Sequence, residues 1–288
     1  TVVFAAPAAL RNVVATAGAL SPGQREALGR VRLLVSAGAP VPAALLRRVG
    51  EVLPRAALHT PYGMTEVLPV TDVSLDDIDD AGPGNGVLVG SPLDGVDVAV
   101  SPIGADGSVC DELTRDPDRT GEICVRAAHM RDRYDRLWAA NRTASGILGW
   151  HRTGDVGHLD AAGRLWVEGR LAHVITTADG VITPVGVEQR AESLAGVRLA
   201  AVVGVGPTGA QQVVVVHETE RPHRRWHGPL ASAELTRSVR AVAGVPVAAV
   251  LRTPALPVDV RHQSKIDRRR VAAWAAQVLA GGRTRRTP

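Results

Sequence analysis

Aromatic side chains make up only 3% of this 288-residue chain: one Phe, two Tyr and five Trp. A core must therefore be built from Val, Leu and Ala, and a base-stacking platform for single-stranded nucleic acid is excluded. The net charge of +4 and a pI near 9.8 do not restore a nucleic-acid reading, because the arginines are spread among 29 acidic residues. Cysteine is equally scarce. Cys110 and Cys124 have neither metal-ligand spacing nor the density of a disulfide scaffold. No run of about 18 apolar residues could span a bilayer, and no signal peptide opens the chain, so a cytoplasmic protein without a transmembrane segment is expected. The sequence begins at Thr1, inside the apolar stretch Val2-Val3-Phe4, and reads as one piece of a longer chain.

Lysine is reduced to a single residue, Lys265, in the context Gln263-Ser264-Lys265-Ile266-Asp267-Arg268. Where arginine is the general-purpose cation, a retained lysine suggests a site that needs a compact ammonium on a flexible stem. Chance survival in a solvated stretch is the alternative.

What is present is a 45% hydrophobic chain, enough for one large or two ordinary domains. Residues Pro7 to Leu20 and Pro42 to Val52 carry helix-period apolar positions, each opening near a proline. Val31 to Ser36 and Ala57 to His59 read as short buried strands, which predicts α/β layering. From about 86 to 168, short β-type runs separated by Gly, Pro and Asp turns predict a barrel-like or curled subdomain. After Gly169-Arg170, further strands frame helices near Gly186 to Ala195 and Ala231 to Val242. That pattern predicts a compact α+β region ending in a disordered basic tail, 281–288, with Arg283, Arg285 and Arg286.

Gly204, Gly206 and Gly209 match a dinucleotide fingerprint, but Pro207 and the strand-like Gln212 to Val216 follow where a helix is required. Strand-turn-strand is the reading, and a Rossmann site is rejected. His217, His223 and His227 flank a basic, Pro-containing stretch and read as an exposed connecting loop. Asp76-Asp77-Ile78-Asp79-Asp80 reads as a solvated surface segment.

More pointed is Tyr62-Gly63-Met64-Thr65-Glu66, just beyond a predicted strand end, where ligands bind in open α/β sheets. It offers an aromatic face for a base, a hydroxyl for a phosphate oxygen and a carboxylate for a divalent cation. An ordinary turn is the alternative. Trp150-His151-Arg152-Thr153-Gly154-Asp155 adds a carboxylate after a tight turn, suited to accept both hydroxyls of a ribose. Arg170 adds a fixed cation.

Ser36-Ala37-Gly38-Ala39-Pro40, Tyr62 to Glu66, Gly86…Gly90-Ser91-Pro92, Trp150 to Asp155, Gly169-Arg170 and Lys265 follow one another in that order. In this the chain resembles the adenylate-forming superfamily of acyl-CoA synthetases, luciferases and peptide-synthetase adenylation domains. The resemblance implies an α/β fold. Residues 1–170 would be the C-terminal part of a large nucleotide-binding domain with a small β-barrel subdomain, and 171–280 a small mobile α+β domain. It implies ATP and Mg²⁺ as cofactors. Gly38, Ala39 and Pro40 would line the adenine pocket, with Tyr62, Gly63 and Met64 beside it and Tyr62 stacked on the base. Thr65 would contact the α-phosphate, Glu66 would hold the metal, and Asp155 would bind the ribose with Arg170 nearby. Lys265 would bridge the substrate carboxylate and the α-phosphate.

Two departures stand out. Leu171-Ala172 follows Gly169-Arg170, where the superfamily usually has an Asp or Lys two residues after the Arg. The approach to Lys265 lacks the usual glycine. The Ala172-His173 pair, the Arg261-His262 approach and His59 to Val70 look like the β-lactone synthetases of bacterial long-chain olefin biosynthesis. That resemblance implies adenylation of a long-chain β-hydroxy acid followed by closure to a β-lactone, with other olefin-pathway enzymes as partners. The alternatives are transfer of the acyl group to coenzyme A or a carrier thiol, or an inactive nucleotide-binding fragment. The superfamily's phosphate loop would lie upstream of Thr1, so the isolated chain is expected to be catalytically silent and poorly soluble.

Overall fold

The computed structural model describes residues 1–38, 40–219, 228–258, 266–282 and 287–288. Three short strands, β1 (Val2–Phe4), β2 (Leu33–Val35) and β3 (Ala57–His59), pair in parallel in the order β1-β2-β3. Parallel neighbours need crossover connections, here α1 (Pro7–Thr16), α2 (Pro22–Leu28) and α3 (Ala43–Val52). Proline at the first turn preorganises α1 and α2, and Ser21 and Gln24 close a capping box on α2. Leu10 of α1 and Leu45, Leu46 and Val49 of α3 pack on Leu34 and Leu58. The α/β layering predicted for this part is therefore present.

The second layer is a seven-stranded antiparallel sheet. Its strands are β4 (Tyr62–Met64), β5 (Val67–Asp72), β6 (Val87–Pro92), β7 (Val96–Pro102), β8 (Gly121–Ala127), β9 (His151–Leu159) and β10 (Leu165–Arg170), in the order β4-β5-β6-β10-β9-β8-β7. Val70, Val98, Ile123, Val125 and Leu165 form its apolar core. The sheet differs from the barrel expected over about 86–168. It starts earlier, at Tyr62, and among the described residues its edge strands β4 and β7 do not pair with each other. The free side of β7 is instead taken by the returning chain, with Val100 bridged to Thr114 and Ile103 to Val109.

The acidic run is at the surface as expected, its four aspartates exposed, and takes the form of a helix, α4 (Leu75–Ala81), capped by Ser74 and Asp77, with Asp76 and Asp77 in its first turn. Carboxylates there complement the helix dipole. One further helix, α5 (Trp138–Ala144), lies between β8 and β9.

Beyond Arg170, the hairpin of β11 (Ile175–Thr177) and β12 (Gly180–Ile182) leads into α6 (Pro184–Glu192). Strands β13 (Val197–Val205), β14 (Gln212–Thr219) and β15 (Ala249–Thr253) form a sheet in sequence order, antiparallel then parallel. Alternation along β14 sends Val213 and Val215 towards α6 and α7 (Ala233–Val242), and Val214 and Val216 towards Trp274 of α8 (Arg268–Leu279). The glycines of the rejected dinucleotide pattern end β13 and turn into β14. His217 is not in a loop: β14 continues through it, and it is 2% exposed. His223, His227, Arg283, Arg285 and Arg286 lie outside the described residues. Gly281 and Gly282 close α8 through backbone bonds to Val278 and Gln277.

Two carboxylates of α6 reach the outer edge of β13. Glu188 accepts the backbone N–H of Val202 at 2.8 Å and Glu192 that of Ala200 at 2.9 Å. Arg268 donates to both oxygens of Glu188. Where α6 meets β10, the buried Glu168 accepts from Asn85, Thr120 and Thr183, and pairs with His158 Nδ1 at 2.7 Å. Gly186 permits this approach, since a Cβ there would lie 1.9 Å from Asn85 Oδ1. Among the described residues no helix is long and apolar enough to cross a membrane.

Candidate active site

The carboxyl ends of the parallel strands converge at Val35 and His59, which are register partners. Ser36 donates its backbone N–H to the carbonyl of His59 at 2.9 Å. Beyond Ser36 the chain bends at Gly38, whose φ of 93° lies in the left-handed region that favours glycine. Pro40 follows on the surface. Beyond His59, Thr60-Pro61 leads into the tight hairpin of β4 and β5. A Cβ on Gly63 would meet Leu68 Cδ1 at 2.7 Å and the Val67 carbonyl at 2.9 Å, so the hairpin requires glycine there. Met64 packs against the sheet core, Thr65 is exposed at the turn and Glu66 is half-buried beside it.

The Tyr62 hydroxyl donates to Asp155 Oδ2 at 2.7 Å, across 93 residues of sequence. Asp155 sits opposite Arg170 in the β9–β10 ladder, and Arg170 Nη1 donates to Asp155 Oδ1 at 2.7 Å. Three motifs separated in sequence thus meet at one carboxylate. Asp155 is not on a loop after a tight turn, as expected, but within β9; Gly154, at φ 71°, makes the local irregularity that reads as a turn. Burial, reinforced by the Asp155 charge, pushes the Tyr62 phenol well above its usual 10, so it stays protonated and donates. Each Asp155 oxygen has taken one donor and retains a second lone pair. Those two acceptor positions suit a vicinal diol.

Glu66 is served by a second tyrosine. Tyr134 donates its hydroxyl to Glu66 Oε1 at 2.6 Å. Burial alone would raise the Glu66 carboxyl, but the Tyr134 hydrogen bond and neighbouring groups that include Arg131 hold it below the ordinary range. Arg131 stacks its guanidinium 3.5 Å from the centroid of the Tyr134 ring, and Asn141 pins the Tyr134 backbone from both sides. Among the described residues no cluster of three or more His, Cys, Asp or Glu could hold a metal by itself.

After Arg170, His173 is driven down to about 4 by burial and then by Arg268 and Arg170, so its imidazole is neutral. Tyr134, Arg131, Asn141 and the pairing of His59 with Asp72 were not among the residues singled out in the sequence. Ala39 and Lys265 lie outside the described residues.

The model of the AMP-binding enzyme family matches residues 1–134. An olefin beta-lactone synthetase of Xanthomonas campestris is 35% identical over 96% of this chain and 51% of its own length. The chain belongs to the AMP-binding, adenylate-forming superfamily. Among solved structures, the amide bond synthetase McbA of Marinactinospora thermotolerans superposes with a TM-score of 0.74 at 24% identity. That match covers 96% of this chain and 52% of McbA, and it shows a shared adenylate-forming fold. O-succinylbenzoate coenzyme A synthetase of Bacillus subtilis, solved with ATP and a magnesium ion, matches at 0.68 and 23% identity over 93% of this chain and 50% of its own. The chain spans about half the length of the curated relatives it matches at this identity.

Proposed function

We propose that the whole protein condenses a carboxylic acid with ATP to give an acyl-adenylate and pyrophosphate. The observation that carries this reading is the Tyr62–Asp155–Arg170 node, in which a buried carboxylate on β9 takes one donor on each oxygen, one of them from the tyrosine three residues beyond the end of β3. Asp155 binds the ribose hydroxyls, and Tyr62 presents its ring to the base, which Gly63, Met64, Gly38, Ala39 and Pro40 line in this reading. Thr65 contacts the α-phosphate. Glu66 fits one position on Mg²⁺, which when bound supplies charge neutralisation to the phosphates.

Attack of a carboxylate on ATP brings anions together, so fixed positive charge lowers the barrier more than acid–base chemistry could. Lys265 supplies that charge between the two reactants, and Arg170 screens Asp155 from them. The part beyond Arg170, 171–280, is the mobile unit in this reading, and it carries Lys265.

The acid is a long-chain β-hydroxy acid, and its own hydroxyl displaces AMP to close a β-lactone. The 35% identity to an olefin beta-lactone synthetase over nearly the whole chain supports this, as do Ala172 after Arg170 and the glycine-free approach to Lys265. The attack is intramolecular, so orientation in the pocket contributes several kcal/mol towards the strained ring. Mass spectrometry of the whole protein's products, with and without coenzyme A, is the test. Lactone formed equally in both is expected. An acyl thioester formed only with coenzyme A overturns the lactone reading and spares adenylation, whereas no ATP-dependent pyrophosphate release overturns both.

A further inference from the structure

Closing a lactone requires a base for the β-hydroxyl, and the reading above gives that role to no residue. We propose that His59 is that base and Asp72 its positioning residue; this rests on the lactone reading above. His59 is the last residue of β3, at the strand ends where ligands lie in open α/β sheets. It sits three residues before Tyr62, and its carbonyl receives the Ser36 N–H at the start of the Gly38 bend. Its Nδ1 lies 2.6 Å from Asp72 Oδ2. The carboxylate fixes the tautomer with the proton on Nδ1, which leaves Nε2 as an acceptor.

Among the described residues Nε2 has no hydrogen-bond partner, and it is not sealed off: the His59 side chain is 30% exposed and that of Asp72 33%. A buried histidine serving the fold alone has both nitrogens satisfied or shielded, as at His217; His59 has one nitrogen anchored and the other open.

Asp72 itself is rigidly placed. It pairs with Ser91 on β6, and the residue before Ser91, Gly90, lies so close that a Cβ there would be 1.9 Å from the Asp72 carbonyl. Gly90, one of the glycines of the Gly86…Gly90-Ser91-Pro92 motif, thereby admits the backbone that carries the carboxylate.

On the β-hydroxyacyl-adenylate, Nε2 takes the hydroxyl proton as the oxygen forms its bond to the acyl carbon. The bond from that carbon to the phosphate oxygen breaks, and AMP leaves with the electron pair. The imidazolium, stabilised by Asp72, then returns its proton to water.

The test is a rapid-quench experiment on the whole protein with MgATP and a long-chain β-hydroxy acid, following acyl-AMP and lactone separately. His59→Gln should slow lactone formation by roughly 10²–10³-fold while acyl-AMP accumulates on the enzyme. Added imidazole should restore part of that rate in His59→Gly, a rescue that a purely structural histidine would not show. Asp72→Asn, which favours the wrong tautomer, should slow the same step by about tenfold or more. Lactone formation within threefold of wild type in His59→Gln, or equal loss of both steps without imidazole rescue, overturns the assignment. Absence of lactone from the wild-type protein itself is the failure of the lactone reading, and it is read in a different arm of the experiment.

Discussion

Glu168 and Thr183 are joined by a 2.5 Å hydrogen bond, the Thr183 hydroxyl donating to a carboxylate that is 1% exposed. The bond spans the exit of the chain from β10, with Glu168 two residues before Arg170 and Thr183 at the start of α6. Thr183→Val keeps the side-chain shape and removes the donor. It should cost roughly 1.5–3 kcal/mol, the range for a hydrogen bond to a charged partner. Denaturant unfolding measures this, and a change under ~0.5 kcal/mol would show that Asn85, Thr120 and His158 satisfy Glu168 without it.

Asp155→Ala should raise the apparent KM for ATP by roughly ten- to a hundredfold, with a smaller loss in kcat. Ribose contacts exist before and during the chemistry, so their loss weakens ground and transition states alike. The same substitution strips Tyr62 and Arg170 of their shared acceptor. Nucleotide titration is the measurement, and unchanged affinity would reduce Asp155 to a structural partner of these two side chains.

Lys265→Ala should nearly abolish adenylate formation in the whole protein while ATP binding persists. No other lysine exists in this chain to take its place. Loss of one transition-state charge contact costs about 10²–10³ in rate. Pyrophosphate release within threefold of wild type would end this role.

Glu192 gives a pH-dependent stability of defined sign. Burial holds its carboxyl up at about 7 against an ordinary 4.5; the Ala200 N–H opposes that shift and the Glu188 charge adds to it. The folded protein therefore binds a proton that the unfolded chain has lost between those values. This contribution to stability is full below pH 4.5, falls as pH rises towards 7 and is absent above it. Glu192→Gln keeps an acceptor for Ala200 and cannot ionise. Melting temperatures at pH 5 and pH 8 should show the variant gaining on wild type at the higher pH. Equal differences at the two pH values would contradict the raised value.

Much of the fold was legible where local chemistry and layering agree. Proline-led amphipathic stretches became α1 and α3, the run Ala57 to His59 became β3 unchanged, and the glycines after β13 made a hairpin. Three features escaped for physical reasons. The acidic α4 hides its apolar contribution in Leu75 and Ile78 among carboxylates. The Arg268-Arg269-Arg270 start of α8 masks a face built on Val271, Trp274 and Ala275. Asp155 reads as a turn residue because a single left-handed glycine precedes it within a strand. The site was legible as motifs but not as contacts, since nothing periodic links Tyr134 to Glu66 across 68 residues. Scarcity could have linked them. The chain has two tyrosines, and both donate their hydroxyls to carboxylates of this site.

The small sheet beyond Arg170 has a consequence for how these molecules meet one another. An open sheet edge is a template for another chain's strand, and sheets exposing one tend to polymerise edge to edge. On one side Glu188 and Glu192 occupy the N–H groups of β13 with side chains that cannot propagate a ladder. On the other, the backbone of Pro229 to Ala231 bonds to Val250 and Arg252 of β15. At these positions the rungs are already taken within the molecule, so a neighbouring copy adding a strand there would first have to displace α6 at β13 or the 229–231 backbone at β15.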